Sequence, residues 1–185
     1  TPEQVRQNKA IIEKSDFIIA QFESAIESTI EAFNLAKEVG VKTILNPAPA
    51  LENVPEELLK VTDMIIPNET ETEILTGISI TDEESLKQAA AHLHQLGIEV
   101  VIITIGSKGA FYSIKNSKNG IVPAFKVNAV DTTAAGDTFI GAMSSMLATD
   151  FSNLEEAITY GNKASSLTVQ RFGAQPSIPY KQELN

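Results

Sequence analysis

The chain has 185 residues, of which 43% are hydrophobic and 21% charged, ordinary values for a globular domain with a core that needs no staples. Its formal charge of −10 and the lack of any basic stripe exclude nucleic acid as a partner. The absence of cysteine excludes disulfides and cysteine-ligated metal centres, no apolar run nears the ~20 residues of a membrane span, and a cytoplasmic location is expected.

Residues 1–14 place Val5, Ala10, Ile11 and Ile12 at roughly helical spacing and predict a helix already under way, so the chain is expected to start part-way through a larger protein. Residues 17–22 are nearly all apolar, as in a strand buried on both faces, with Glu23 at its carboxyl end. Helical periodicity over 25–39 stops at Gly40, a C-cap. A second strand over 41–45 runs into Asn46-Pro47-Ala48-Pro49-Ala50, whose prolines end pairing. A short helix over 58–61 leads to a third strand over 64–66, which closes at Pro67-Asn68. The next helix, 69–75, ends at Gly77. Thr81 or Asp82 caps the helix over 83–96, with Gly97 behind it. Residues 99–105 are the most apolar strand and enter Gly106-Ser107-Lys108-Gly109. Residues 110–114 and 121–127 alternate around a polar turn and predict a hairpin. Helices follow over 136–147 and 154–169, and residues 173–179 form a closing loop.

Strand and helix in alternation, with short buried strands, give an α/β fold: a mainly parallel, doubly wound sheet with helices on both faces. Ligands bind outside the carboxyl ends of such strands. Glu23, Asn46, Asn68 and Thr104–Gly106 fall there, although loops are polar in any case.

The loop at Val130-Asp131-Thr132-Thr133-Ala134-Ala135-Gly136-Asp137 carries the chemistry. Small residues open a helix whose first N–H groups lack internal partners and sit at the positive end of the dipole. Ala134, Ala135 and Gly136 let an anionic oxygen approach closely, and Asp137 puts a carboxylate beside it. An anion hole next to a base suits phosphoryl transfer to a hydroxyl. The plainer alternative is a capped turn. Asn68 and Glu71 have two readings: a capping box, or a sparse magnesium site completed by water and phosphate. The turn Thr104-Ile105-Gly106-Ser107-Lys108-Gly109 suits nucleotide phosphates or an ordinary hairpin, and is not a Walker A sequence. His92 and His94 read as surface or packing residues.

These motifs resemble, in order, those of the ribokinase-like carbohydrate kinase superfamily. The segment 131–142 is similar to that family's second signature, and the segments at 46–50, 67–77, 104–109 and 173–177 follow in family order, so that the likeness to the C-terminal part of its members covers essentially all 185 residues. The resemblance implies ATP-dependent phosphorylation of ribose at its primary hydroxyl. By position it implies Asp137 as catalytic base, Ala134, Ala135 and Gly136 as anion hole, and Asn68 and Glu71 as the pair serving Mg2+ and the nucleotide phosphates. Thr104, Gly106, Ser107, Lys108, Gly109, Gly136 and Asp137 would meet nucleotide, Asn162 the adenine, and Glu23 and Asp137 the sugar. Asp131, Thr133, Thr168, Arg171, Gly173 and Ser177 would hold K+, mostly through carbonyl oxygens. Residues 1–185 would then be the C-terminal nucleotide-binding and catalytic part, without the early strands, the small lid and most sugar contacts. The partners implied are ATP, a small sugar and, for the full-length protein, a second copy docked through the lid. The 185 residues alone are expected to bind Mg–ATP weakly and to phosphorylate nothing at a useful rate. The competing readings are a kinase for fructose, a nucleoside or a ketoacid sugar, and a non-catalytic nucleotide-binding module. A dinucleotide-binding Rossmann domain is argued against by the absence of G-x-G-x-x-G.

Overall fold

The structure is a computed structural model that describes residues 1–184. Its backbone forms α1 (Pro2–Gln7), α2 (Lys9–Ile12), β1 (Phe17–Ala20), α3 (Ile26–Val39), β2 (Lys42–Leu45), α4 (Glu56–Lys60), β3 (Met64–Ile65), α5 (Glu69–Thr76), α6 (Glu83–Gln95), β4 (Val100–Thr104), β5 (Ala110–Ile114), β6 (Asn119–Val122), α7 (Ala135–Met146) and α8 (Leu154–Thr168). Single 3₁₀ turns lie at Gly106–Lys108, Gln175–Ser177 and Lys181–Leu184. The mixed α/β class and the mainly parallel sheet expected from the alternation of elements are both present. The six strands lie in the order β1-β2-β3-β4-β5-β6, and β1 through β4 pair in parallel. Among the described residues no helix is long and apolar enough to cross a membrane.

The chain divides into two compact units, Thr1–Ile103 with Phe111–Gly120, and Thr104–Ala110 with Ile121–Asn185. In the first, Ile44, Leu45, Met64, Ile65 and Val100 to Ile103 are fully buried, which explains their continuous apolar runs. Helix α3 packs against β1 and β2, buries Phe33 and Ala36, and ends at Gly40 in the left-handed conformation, φ 79°. Asp82 caps α6 by accepting from the Ser85 N–H at 2.8 Å.

Three expectations need correction. The first helix breaks at Asn8, whose side chain donates to the Gln4 carbonyl at 2.8 Å and competes with the helix ladder. Strand β1 is not buried on both faces, since Ile19 is 42% exposed. The hairpin's second strand spans Asn119–Val122 rather than 121–127, because Pro123 brings no N–H to a ladder.

A charge cluster in the first unit is centred on the buried Asp63 beside β2. Asp63 is buried and accepts from Lys37 Nζ at 2.6 Å, the Thr43 N–H at 3.0 Å and Thr43 Oγ1 at 3.1 Å. Lys42 Nζ stands 3.6 Å away and also meets Glu99 at 3.2 Å. Burial pushes the Asp63 carboxyl up, but Lys37, the Thr43 N–H and Lys42 outweigh it and hold the group below its ordinary value.

Candidate active site

In the first unit the carboxyl ends of β1, β2 and β3 share one edge because the strands are parallel. Asn46, buried there, accepts from Gln21 Nε2 at 2.6 Å and donates to the Ile66 carbonyl at 2.7 Å, tying three strand ends together. Glu23 stands exposed in the turn after β1.

Asn68 heads α5. Its Oδ1 accepts from the Glu71 N–H at 2.8 Å, while its own N–H and Nδ2 donate to Glu71 Oε2 at 2.8 Å and Oε1 at 2.9 Å. The capping box is therefore formed. Burial pushes the Glu71 carboxyl up, and the two bonds from Asn68 only partly offset it. A carboxylate has about four acceptor sites, so each Glu71 oxygen keeps capacity for a cation or water. That donor set fits a sparsely protein-bound Mg2+. Among the described residues no group of three or more His, Cys, Asp or Glu forms a metal cluster.

In the second unit Thr104 leads into a turn with three bonds of its own. The Ile105 N–H donates to the Gly109 carbonyl at 2.9 Å, the Lys108 N–H to the Ile105 carbonyl at 3.1 Å and the Gly109 N–H to the Gly106 carbonyl at 3.0 Å. Gly106, Ser107 and Lys108 are exposed. Gly109, at φ 111°, lies so close to the β6 exit that a Cβ would meet the Val122 carbonyl oxygen at 2.1 Å. Only glycine fits there. Asn162 on α8 is buried and donates through Nδ2 to the carbonyls of Val122 at 3.1 Å and Pro123 at 3.2 Å.

The loop before α7 turns through Ala134, a left-handed residue at φ 58°. This kink starts the helix at Ala135, with Gly136 and Asp137 second and third in it, both exposed. The Ala135 N–H donates to the Thr132 carbonyl at a long 3.2 Å. Of the expected anion-hole donors, Ala135 thus already serves the turn, through a weak bond.

Asp131 is the clasp of this loop. Its Oδ1 accepts from the Thr133 N–H at 2.9 Å and its Oδ2 from the Gly173 N–H at 2.9 Å. Those contacts lower its pKa to about 2, the Thr133 side chain contributing most, then the Gly173 and Thr133 N–H groups. The expected K+ residues converge here in part. The Thr168 hydroxyl donates to Thr138 Oγ1 at 3.2 Å, and the Thr168 carbonyl accepts from the Arg171 N–H at 3.0 Å. Arg171 pairs with Glu183, and the buried Ser177 hydroxyl donates to the Ala174 carbonyl at 2.6 Å. Carboxylate, carbonyl and hydroxyl oxygens make up this set, which fits a hard monovalent cation. The Arg171 guanidinium is turned to Glu183, so only its backbone carbonyl suits such a role.

Helix α8 holds these parts in register. Asn162, Ser165 and Thr168 recur every third residue along one side. Asn162 grips the β6 exit, Ser165 Oγ donates to the Ala135 carbonyl at 3.1 Å, and Thr168 meets Thr138. The Val169 carbonyl beyond it accepts the N–H groups of Val130 at 2.8 Å and Asp131 at 3.2 Å. Gly161 lets the two helices approach, since a Cβ there would meet Phe139 Cδ2 at 2.8 Å. Sequence reasoning passed over Gly161 and Ser165. The one available signal was small residues at Gly161, Ala164, Ser165 and Thr168, the spacing of a helix face in close contact.

A model of the pfkB family carbohydrate kinases matches residues 1–181. The chain belongs to this family. Ribokinase of Staphylococcus aureus (strain COL) is 52% identical over 185 residues, covering 100% of this chain and 60% of that protein. Ribokinase of Haemophilus influenzae is 48% identical over 179 residues, covering 97% of this chain and 58% of that one. The structure of Arabidopsis thaliana ribokinase complexed with ribose and ATP superposes with a TM-score of 0.89 at 32% identity, covering 96% of this chain and 57% of the other. The chain thus spans about 60% of the length of the curated relatives it matches. The resemblance read from the motifs is borne out, as is the α/β fold that it implied.

Proposed function

We propose that this chain forms the nucleotide-binding and catalytic part of an ATP-dependent ribose kinase that makes ribose 5-phosphate. The observation that carries the proposal is the α7 entrance: a left-handed Ala134, small residues after it, and an exposed Asp137 in the first helical turn. Ribokinases at 52% and 48% identity support the choice of sugar, as does the ribose- and ATP-bound state of the Arabidopsis protein.

In this reading Asp137 accepts the proton of the sugar's primary hydroxyl as that oxygen attacks the γ-phosphorus. The bond to the β–γ bridging oxygen breaks, and ADP leaves with the electron pair. The first N–H groups of α7, with the helix dipole behind them, face the charge on the transferring phosphoryl oxygens. The exposed turn at Gly106–Lys108 binds the nucleotide phosphates. Asn68 and Glu71 would hold magnesium, which supplies charge neutralisation at the phosphates. Asp131 with the Thr133, Thr168, Arg171 and Gly173 carbonyls and Ser177 would hold potassium, which supplies order to the loop. Glu23 contacts the sugar.

The test is ADP release by the purified full-length protein against a panel of ribose, deoxyribose, fructose and a nucleoside. Ribose should give the highest kcat/KM. A preference for another sugar would move the assignment within the family, and sugar-independent ATP hydrolysis alone would refute sugar phosphorylation.

A further inference from the structure

We propose that Asn162 is a positioning residue that clamps the β6 exit against the nucleotide turn. The nucleotide part of this inference rests on the kinase reading above; the clamp itself does not.

The β6 ladder ends at Val122, and Pro123 has no N–H with which to extend it. Something else must fix the chain there. Asn162 does so from α8, with Nδ2 donating to both the Val122 and Pro123 carbonyls at 3.1 and 3.2 Å. Carbonyls only accept, so the orientation of the amide is settled: its NH2 group faces the strand exit. Nδ2 is engaged with two main-chain carbonyls, and the residue is 7% exposed. The Nδ2 donor is thus committed to the strand exit, and Oδ1 is the only polar atom of the side chain outside the clamp.

Against the same segment lies Gly109. Its missing Cβ would stand 2.1 Å from the Val122 oxygen, 2.6 Å from the Ala124 nitrogen and 2.8 Å from the Pro123 carbonyl carbon. The backbone of Gly109 therefore rests directly on Val122, Pro123 and Ala124, the first two of which Asn162 holds. Gly109 in turn closes the 3₁₀ turn through its N–H to Gly106 and its carbonyl to Ile105. Releasing Val122 and Pro123 lets them drift toward or away from Gly109, and the turn moves with them. Asn162 thereby sets the N–H groups of the turn from a distance.

The experiment compares the full-length protein with Asn162→Asp, which sets an acceptor against two carbonyls, and with Gly109→Ala, which disturbs the same segment through Gly109. Asn162→Ser, unable to span both carbonyls, replaces the Asp variant if that one does not fold. Hydrogen exchange of the Ile105, Lys108 and Gly109 amides, measured without nucleotide, should quicken by roughly tenfold, the worth of about one hydrogen bond. The Thr72 amide, bonded to Asn68, should not change. Calorimetric binding of Mg–ATP, Mg–GTP and Mg–tripolyphosphate should weaken by one common factor. Unchanged exchange at the turn overturns the proposal, whatever the protein phosphorylates. A loss confined to ATP, with tripolyphosphate unaffected, overturns it in favour of base reading. If the unaltered protein bound none of the three, the kinase reading would fall, and exchange alone would still decide the clamp.

Discussion

Gly161→Ala tests whether the contact between α7 and α8 sets the position of α7, the helix proposed to carry the catalytic base. The added Cβ would lie 2.8 Å from Phe139 Cδ2, 2.9 Å from the Phe139 carbonyl oxygen and 3.0 Å from Cε2. An ordinary contact begins near 3.4 Å, so the shortfall is 3.4 − 2.8 = 0.6 Å at the ring and 3.4 − 2.9 = 0.5 Å at the carbonyl. Phe139 is 3% exposed and its carbonyl is fixed to the helix, so neither can yield alone. The helices must part by about half an ångström. Overpacking of this kind costs ~1–3 kcal/mol, and the gain in helix propensity from Gly to Ala returns ~1 kcal/mol. The net expectation is a loss of up to about 2 kcal/mol, or a Tm lower by as much as ~8 °C for a chain of this size. Asp137 lies two residues from Phe139 on α7. A shift of this scale at a reacting group lowers kcat by about tenfold or more. Thermal unfolding of this chain and steady-state kinetics of the full-length protein measure the two effects. An alanine variant as stable and as fast as the parent would show that Gly161 does not govern the α7 position.

Asp63→Asn removes a buried charge from two lysines that are partly exposed and can rehydrate, so urea unfolding should show about 2–3 kcal/mol lost, below the range for fully buried pairs. Because the Asp63 carboxyl is held below 3.8, its contribution is complete above that pH and disappears as pH falls through the lowered value; the parent should lose stability on acidification and the Asn variant less. Glu71→Gln goes the other way: burial raises the Glu71 pKa, so its contribution is full below its unfolded pKa and declines as pH rises through the raised one. The Gln variant should gain relative stability at pH 7 over pH 4 while its Mg-dependent turnover falls. Asp131, with a pKa of about 2, should keep the loop clasped across the whole working range, and Asp131→Asn should lower kcat at every pH rather than shift the profile.

Much of the fold was legible because it rests on local rules. Gly40 and Gly77 stop helices through left-handed caps, and Asp82 and Asn68 start them, each visible from residue type and spacing alone. The parallel strands were legible because burial on both faces writes a continuous apolar run. Asn8 was not legible, since an asparagine in a helical pattern carries no sign of whether its side chain will compete with the ladder. Strand β1 misled because an apolar run does not state how many neighbours cover it. Asp63 was invisible as a cluster, because Lys37, Lys42, Thr43 and Glu99 come together only once the sheet has formed. At the site, a tight turn opening α7 could be expected from the run of small residues, whereas the left-handed Ala134 could not, since alanine seldom adopts a positive φ. The partners of Asn162 could not, since they are main-chain carbonyls 39 and 40 residues away.

The central claim is that Asp137 is the base of phosphoryl transfer, and Asp137→Asn in the full-length protein tests it most directly. The substitution keeps the size and removes the proton acceptor. Steady-state kinetics with ribose and saturating Mg–ATP should show kcat reduced by ~10²-fold or more, with the KM for ATP little changed. A variant that turned over ribose at a near-normal rate would contradict the account.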